Sequence, residues 1–258
     1  MIGRDTLPME ILEENSSLTA YSDRSIYRNN VKTGEKYHWK ITYQYSDLLL
    51  SSDKNIAGLA EEPVKEIYRY LHQCFKEDPS FLKSLSPVSV KPDYPEIIKK
   101  MCLLSSEFNV GPMAAVAGTV NEFLAEKLNK YCGNLIIENG GDLYLRSKKD
   151  RVLGVYAKNN YFKDGISMRV KAWQMPCGVC ASSGTFGHSL SLGKCDLAVV
   201  VAKSAISADA AATAVANSIF CRDDIAKSIE RFKNYRGIDG LLLIKDDKIG
   251  LWGNIELI

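Results

Sequence analysis

The sequence predicts an α+β fold, a mainly antiparallel sheet with helices packed on it, and three observations lead there. Strand-like segments follow one another through turn residues at least as often as a helix separates them. A long middle stretch carries its apolar residues at helical spacing instead. An alanine-rich run, SAISADAAATAVANSI at 204–219, adds a further helix, because alanine is the best helix former and Ser204 or Ser207 is a good N-cap. With 258 residues, 46% of them hydrophobic, the chain can bury a substantial core. No repeat or low-complexity linker interrupts it, and its length is compatible with one large domain or two small ones.

Taken in order, Ser25 to Leu50 alternates polar with aromatic or β-branched residues, and Thr33-Gly34 supplies a turn, which predicts a hairpin. Asn55 to Phe75 and Pro95 to Phe108 are amphipathic helices, with the loop SPVSVKPDY before the second. NVGPMAAVAGTVNEFLAEKLNKYCGN predicts a third helix, opened by Pro112, slim as far as Gly118 and ending near Gly133. Residues 55–130 are thus mainly helical. Short strands follow in NLIIENGGDLYLR, RVLGVYAK, ISMRVKAW and KCDLAVVVAK, broken by Gly, Asn and Ser clusters. The final pair, IDGLLLIKDDKIGLWGN, reads as a hairpin turning at Asp246-Asp247 on an edge of the same sheet.

Charge excludes some functions. Lys plus Arg total 33 and Asp plus Glu 31, a net charge of +2, and no basic block marks a nucleic-acid groove. The first residues show neither an apolar signal region nor a lipid-attachment cysteine, and no run reaches the ~18 apolar residues of a membrane span, so a cytoplasmic protein without a membrane partner is expected. Seven cysteines, an odd number, then read as buried thiols, metal ligands or catalytic thiols rather than disulfides.

Four segments carry candidate chemistry, each beside a plainer reading. In the alanine helix, Asp209 and Thr213 stand four apart on one face. They are either helix decoration, with Asp209 complementing the dipole, or two hard oxygen ligands for Mg2+. Asn139-Gly140-Gly141-Asp142 is a hairpin bend, or a place where backbone amides approach a ligand flanked by two polar side chains. Gly111-Pro112-Met113 opens a helix of small residues that either packs tightly or offers amides to a phosphate. CGVCASSGTFGHSLSLGKCD at 177–196 holds a CxxC pair, the cluster Ser182-Ser183-Gly184-Thr185, and His188. The pair could be a redox dithiol, or with Cys132 and Cys195 a zinc or iron-sulfur site, though the spacing matches no standard signature. Cys180 alone, with His188 nearby in sequence, could be an activated nucleophile or sulfur carrier if the loop folds them together. His188 by itself reads more readily as a hydrogen-bonded structural histidine than as a catalyst, and His38 and His72 read as structural.

Together, SDLLL, VGPMAAVAGTVNEFLAEKL, IENGGDLYL and GVCASSGTFGHSLSLGKCDLAVVVAKSAISADAAATAVAN resemble, in order and over residues 46–217, an uncharacterised cytoplasmic branch of the ApbE-like proteins. The resemblance implies a single T-fold-related α+β domain covering residues 1–258. ApbE proteins are Mg2+-dependent transferases that split FAD, pass FMN to a protein threonine and release AMP, so Mg2+, FAD or FMN and a protein acceptor become expectations. Their metal helix reads Ala-Asp-Ala-x-Ala-Thr, matched here by Ala208 to Thr213, which makes Asp209 and Thr213 metal ligands. By similarity Asn139 to Asp142 contact the nucleotide, with residues 182–185 close by. The chain departs from the transferases after His188, where SLSLGKCD replaces their Asp-Pro-x-Thr-Gly continuation. The branch is linked with sulfide assimilation and homocysteine biosynthesis, which implies a second function: sulfur handling at Cys180, with a small-molecule sulfur donor in place of the nucleotide and a sulfur-pathway partner. A non-catalytic flavin- or nucleotide-binding module is the third, and a homo-oligomer stays open for all three.

Overall fold

The computed structural model describes residues 34–157, 159–163, 165–184 and 192–258. Every element below lies in one compact unit, Glu35–Ile258. Thr185 and His188 lie outside the described residues, as does the expected strand from Ser25 to Thr33.

Eight strands form one sheet in the order β1-β2-β3-β4-β7-β8-β9-β10, every neighbouring pair antiparallel. They are β1 Tyr37–Tyr43, β2 Ser46–Ser52, β3 Leu135–Asn139, β4 Asp142–Arg146, β7 Cys177–Ser182, β8 Leu197–Ala202, β9 Ile238–Lys245 and β10 Lys248–Gly253. A second sheet of three strands has the order β11-β6-β5, from β5 Arg151–Val155, β6 Ile166–Val170 and β11 Glu256–Leu257. The hairpin of β1 and β2 turns at Gln44-Tyr45, with Gln44 at a φ of 49°, and the expected turn at Thr33-Gly34 falls at the limit of the described residues, with Thr33 outside them. Gln44 takes a left-handed conformation without being glycine, so nothing in the sequence punctuates that turn. The last hairpin does turn at Asp246-Asp247 and leaves β10 at the sheet edge.

Side-chain alternation divides the large sheet between two cores. On β8, Ala198, Val200 and Ala202 join the helical core, while Leu197, Val199 and Val201 join the core under the small sheet. The layers are therefore helices, large sheet, small sheet. Burial on both faces also explains why LAVVVA is an uninterrupted apolar run. The segment CGVCAS is the second such strand, β7, and not the loop expected of it.

The helices are α1 Ala57–Glu77, α2 Pro79–Lys83, α3 Glu96–Glu107, α4 Val116–Leu128, α5 Ala205–Asn217 and α6 Asp224–Phe232. The third expected helix begins as a 3-10 turn, Pro112–Ala115, before α4. In α5 every residue from Ala205 to Ala216 is buried, so no face of it is given over to solvent. Gly178 of β7 lets it lie on the sheet, since a Cβ there would stand 2.4 Å from the Ala205 Cα. No helix among the described residues is long and apolar enough to cross a membrane.

Candidate functional site

The seam between α4 and α5 is a ladder with one rung per helical turn. The Thr213 hydroxyl lies 3.5 Å from the Ala114 carbonyl oxygen. One turn on, the Gly118 N–H donates to Asp209 Oδ2 at 2.8 Å. At the next, Glu122 Oε2 accepts the Ser204 hydroxyl at 2.6 Å and the Ile206 N–H at 3.3 Å. Numbers rise along α4 as they fall along α5, so the helices are antiparallel. The seam is closed because residue 118 has no side chain: a Cβ there would come within 2.2 Å of the Ala205 carbonyl oxygen. Residue 115, the N-cap of α4, gives no side-chain cap, and Asp209 fills that office from the neighbouring helix by accepting the N–H groups of Ala117 and Gly118.

Strands β4 and β7 bring in a second acid and a thiol. Asp142 Oδ1 accepts the Ala181 N–H at 3.1 Å, and the Asp142 carbonyl accepts Asn121 Nδ2 of α4 at 2.9 Å. Burial holds the Asp209 carboxyl well above the usual range, the Asp142 charge pushes it the same way, and the two N–H donors do not offset them. Cys180 is raised well above the ordinary thiol range by burial and by the charges of Asp142 and Asp209; its Sγ lies 3.6 Å from the Ala205 carbonyl oxygen. The surroundings of an activated thiolate are the reverse, electropositive and partly exposed. Beside this pair, the buried Asn121 Oδ1 and Ser182 Oγ have no hydrogen-bond partner among the described residues.

Of the sequence candidates, Asp209, Thr213, Asp142, Cys180 and Ser182 converge on the helix-facing side of the sheet. Gly111 does not serve as an amide donor: its N–H bonds to the Leu85 carbonyl at 3.1 Å, and a Cβ there would meet the Ser84 carbonyl oxygen at 1.8 Å, so it is a packing glycine. Pro112 is buried without an N–H to give, and Met113 packs against the helical core. Gly140 and Gly141 form the β3–β4 bend with φ of 67° and 105°, and the Gly141 N–H is taken at 2.9 Å by Glu138 Oε1. Asn139 reaches Ser46 Oγ at 3.4 Å. Ser183 Oγ and the Gly184 N–H both bond the Cys195 carbonyl.

The iron-sulfur and zinc reading of the CxxC pair is overturned. On a strand, positions three apart point to opposite faces, and Cys177 lies in the core under the small sheet while Cys180 lies in the helical one. Cys132 and Cys195 bond the carbonyls of Leu128 and Ile244 instead. Among the described residues no group of three His, Cys, Asp or Glu is placed to hold a metal. Sequence reasoning missed Asn121 and Glu122; both follow Gly118 within about one turn, and only the cross-helix register gives that spacing a meaning.

The fold has known counterparts. An ApbE protein from Thermotoga maritima superposes with a TM-score of 0.58 at 15% identity, covering 85% of this chain and 96% of that one. The Pseudomonas stutzeri flavinyl transferase ApbE, in its apo form, gives 0.55 at 14%, covering 84% and 93%. At these identities the likeness is one of fold, and it bears out the α+β class. Sequence relationship narrows it: residues 28–235 match the family described as AbpE bacteria. UPF0280 protein MJ1526 of Methanocaldococcus jannaschii is 41% identical over 213 residues, 81% of this chain and 86% of that protein. The chain belongs to this family, an ApbE-like branch that includes the UPF0280 proteins.

Proposed function

We propose that the α4–α5 seam and the β3–β4 bend form a Mg2+-dependent site for a flavin dinucleotide, at which the hydroxyl of a protein threonine or of water attacks the FMN phosphorus of FAD, breaking the pyrophosphate bond, so that AMP leaves and the hydroxyl proton goes to solvent. The observation that carries this is the donor set. Asp209 and Asp142 are two carboxylates held close in a largely buried setting, with the Thr213 hydroxyl and Ala114 carbonyl 3.5 Å from one another one turn away. All are hard oxygens, the chemistry that a small divalent cation requires. The unpartnered Asn121 Oδ1 adds another oxygen beside them. Asp209 and Thr213 would hold the ion, with Asp142 and the Ala114 carbonyl beside them. Bound there, a divalent cation supplies charge neutralisation for a pyrophosphate.

The chain's own residues supply the rest. The Gly118 N–H fixes Oδ2 of Asp209, and the Ala117 N–H donates to the same carboxyl group. The Ala181 N–H fixes Asp142 in the same way. Asn139 and Ser182 border the bend and are the polar groups that would orient the nucleotide. The Pseudomonas stutzeri flavinyl transferase named above, which shares the fold, supports this choice of ligand. The sulfur-carrier reading of Cys180 is less well supported, since its burial, and then the carboxylates around it, favour the thiol over the thiolate. Incubation with FAD and Mg2+, followed by chromatography, tests the proposal. AMP release that is lost in Asp209→Asn is expected; Mg2+-dependent binding without AMP selects a non-catalytic module, and neither binding nor AMP overturns the site.

A further inference from the structure

We infer that Glu122 is a positioning residue for the Asp209–Thr213 shelf: it fixes the register of α5 on α4, and so the placement of both shelf oxygens. The inference rests on the cation reading above and extends it to a residue on the far side of the seam. Three observations carry it. First, the Glu122 side chain is only 10% exposed and both its oxygens are engaged. Oε1 takes the Lys100 ammonium of α3, and Oε2 takes the Ser204 hydroxyl and the Ile206 N–H. Ser204 is the N-cap of α5, its own oxygen accepting the Ser207 N–H at 3.4 Å, so Glu122 closes the first turn of the helix that carries the shelf.

Second, the arrangement is reciprocal. Asp209 of α5 closes the first turn of α4, and Glu122 of α4 closes the first turn of α5. The two carboxylates are not alike, however. Asp209 is the group expected to turn part of its charge toward a cation, whereas Glu122 is tied to α3 and to α5. Its bonds therefore hold the helices in register whatever Asp209 does. Third, the seam tolerates little sliding, because the Ala205 carbonyl lies where a Gly118 Cβ would be. A shift of α5 along its axis would move Asp209 and Thr213 together, both being on the same rigid helix.

Glutamine at 122 keeps the shape but cannot serve both sides. It loses the charge that pairs Lys100, and its amide nitrogen faces donors on whichever side it is turned. Outer-sphere partners of metal ligands typically change affinity ~10–100-fold when removed. The test uses Mn2+ as a paramagnetic probe, with free ion measured by EPR, on the full chain at a temperature where circular dichroism shows every variant folded. Wild type, D209N, E122Q and S204A are compared, and the thermal midpoint of each is recorded separately. Expected are binding by the wild type, its loss in D209N, a fall of about tenfold in E122Q and a smaller fall in S204A. If E122Q and S204A bind Mn2+ like the wild type and only their melting midpoints drop, Glu122 is merely structural and the inference is overturned, with the shelf intact. If the wild type itself does not bind, the shelf reading falls and this inference with it. Should E122Q fail to fold, S204A decides.

Discussion

Asp53 and Asp209 each accept a pair of backbone N–H groups, with opposite electrostatic results. Asp53, after β2, takes the N–H groups of Gly133 and Asn134 at 2.9 and 3.0 Å. Burial pushes its carboxyl up, but those donors and the nearby Lys54 outweigh it, and the group sits below the ordinary range. Asp209 takes the N–H groups of Ala117 and Gly118, yet burial and the Asp142 charge win, and the group sits well above it. Asp53 acts as a fastener at the surface. Asp209 does the same mechanical work in a place that penalises its charge, beside a second acid. A fastener alone needs no second carboxylate, and the difference is what marks the seam as a candidate site.

The largest effect that sharpens this contrast comes from the glycines facing each acid. Gly118→Ala would place a Cβ 2.2 Å from the Ala205 carbonyl, which is backbone and cannot turn aside. A loss of about 3 kcal/mol, at the upper end for overpacking, is expected in urea unfolding. Gly133→Ala meets only the movable Asp53 Oδ2, at 3.0 Å, and should cost less than about 1 kcal/mol. Equal losses would show that the seam is no tighter than the surface loop.

Next in size are the charge variants. In EDTA, Asp209→Asn should leave stability unchanged or raise it, because asparagine keeps an acceptor for the Gly118 N–H and drops the penalised charge. Wild type should gain about 2.7 kcal/mol from Mg2+ at a hundred times its dissociation constant, a gain the variant lacks. Asp53→Asn should cost about 1 kcal/mol with or without Mg2+.

The pH dependence separates the two acids by sign. Folded Asp53 binds its proton less tightly than the unfolded chain does, so its contribution is present above the ordinary aspartate range and is lost as pH falls through it. Folded Asp209 holds its proton more tightly. In metal-free protein its contribution is full at low pH, below the unfolded value, and is lost as pH rises through the raised folded one. Asp53→Asn should therefore flatten the acid limb of a stability profile, and Asp209→Asn the limb above it. The smallest effect concerns thiols: iodoacetamide at neutral pH should modify exposed Cys221 quickly, while Cys180 reacts only on unfolding. Fast labelling of Cys180 would revive the sulfur reading.

Much of the fold was legible because it rests on local pattern. The helical spacing of residues 55–108 and the Asp246-Asp247 turn each need only their own neighbours to be read. The Gln44 turn was hidden because no glycine marks it, and β7 because a strand buried on both faces has no alternation to show. The site divided in the same way. Asp209 and Thr213 were visible as a pair on one helix, and the family resemblance supplied their chemistry. Glu122, Asn121 and the packing role of Gly111 depend on contacts between distant segments, such as Gly118 with Asp209 or Gly111 with Leu85, which no single window contains.

The central claim is that Asp209 and its neighbours form a cation site, and anomalous diffraction from crystals soaked in Mn2+ tests it most directly. An anomalous peak in contact with Asp209 and Thr213, absent from Asp209→Asn crystals, is the predicted result. No peak there at saturating Mn2+, with Asp209 still bonded only to α4, would contradict the account and leave this acid a helix fastener like Asp53.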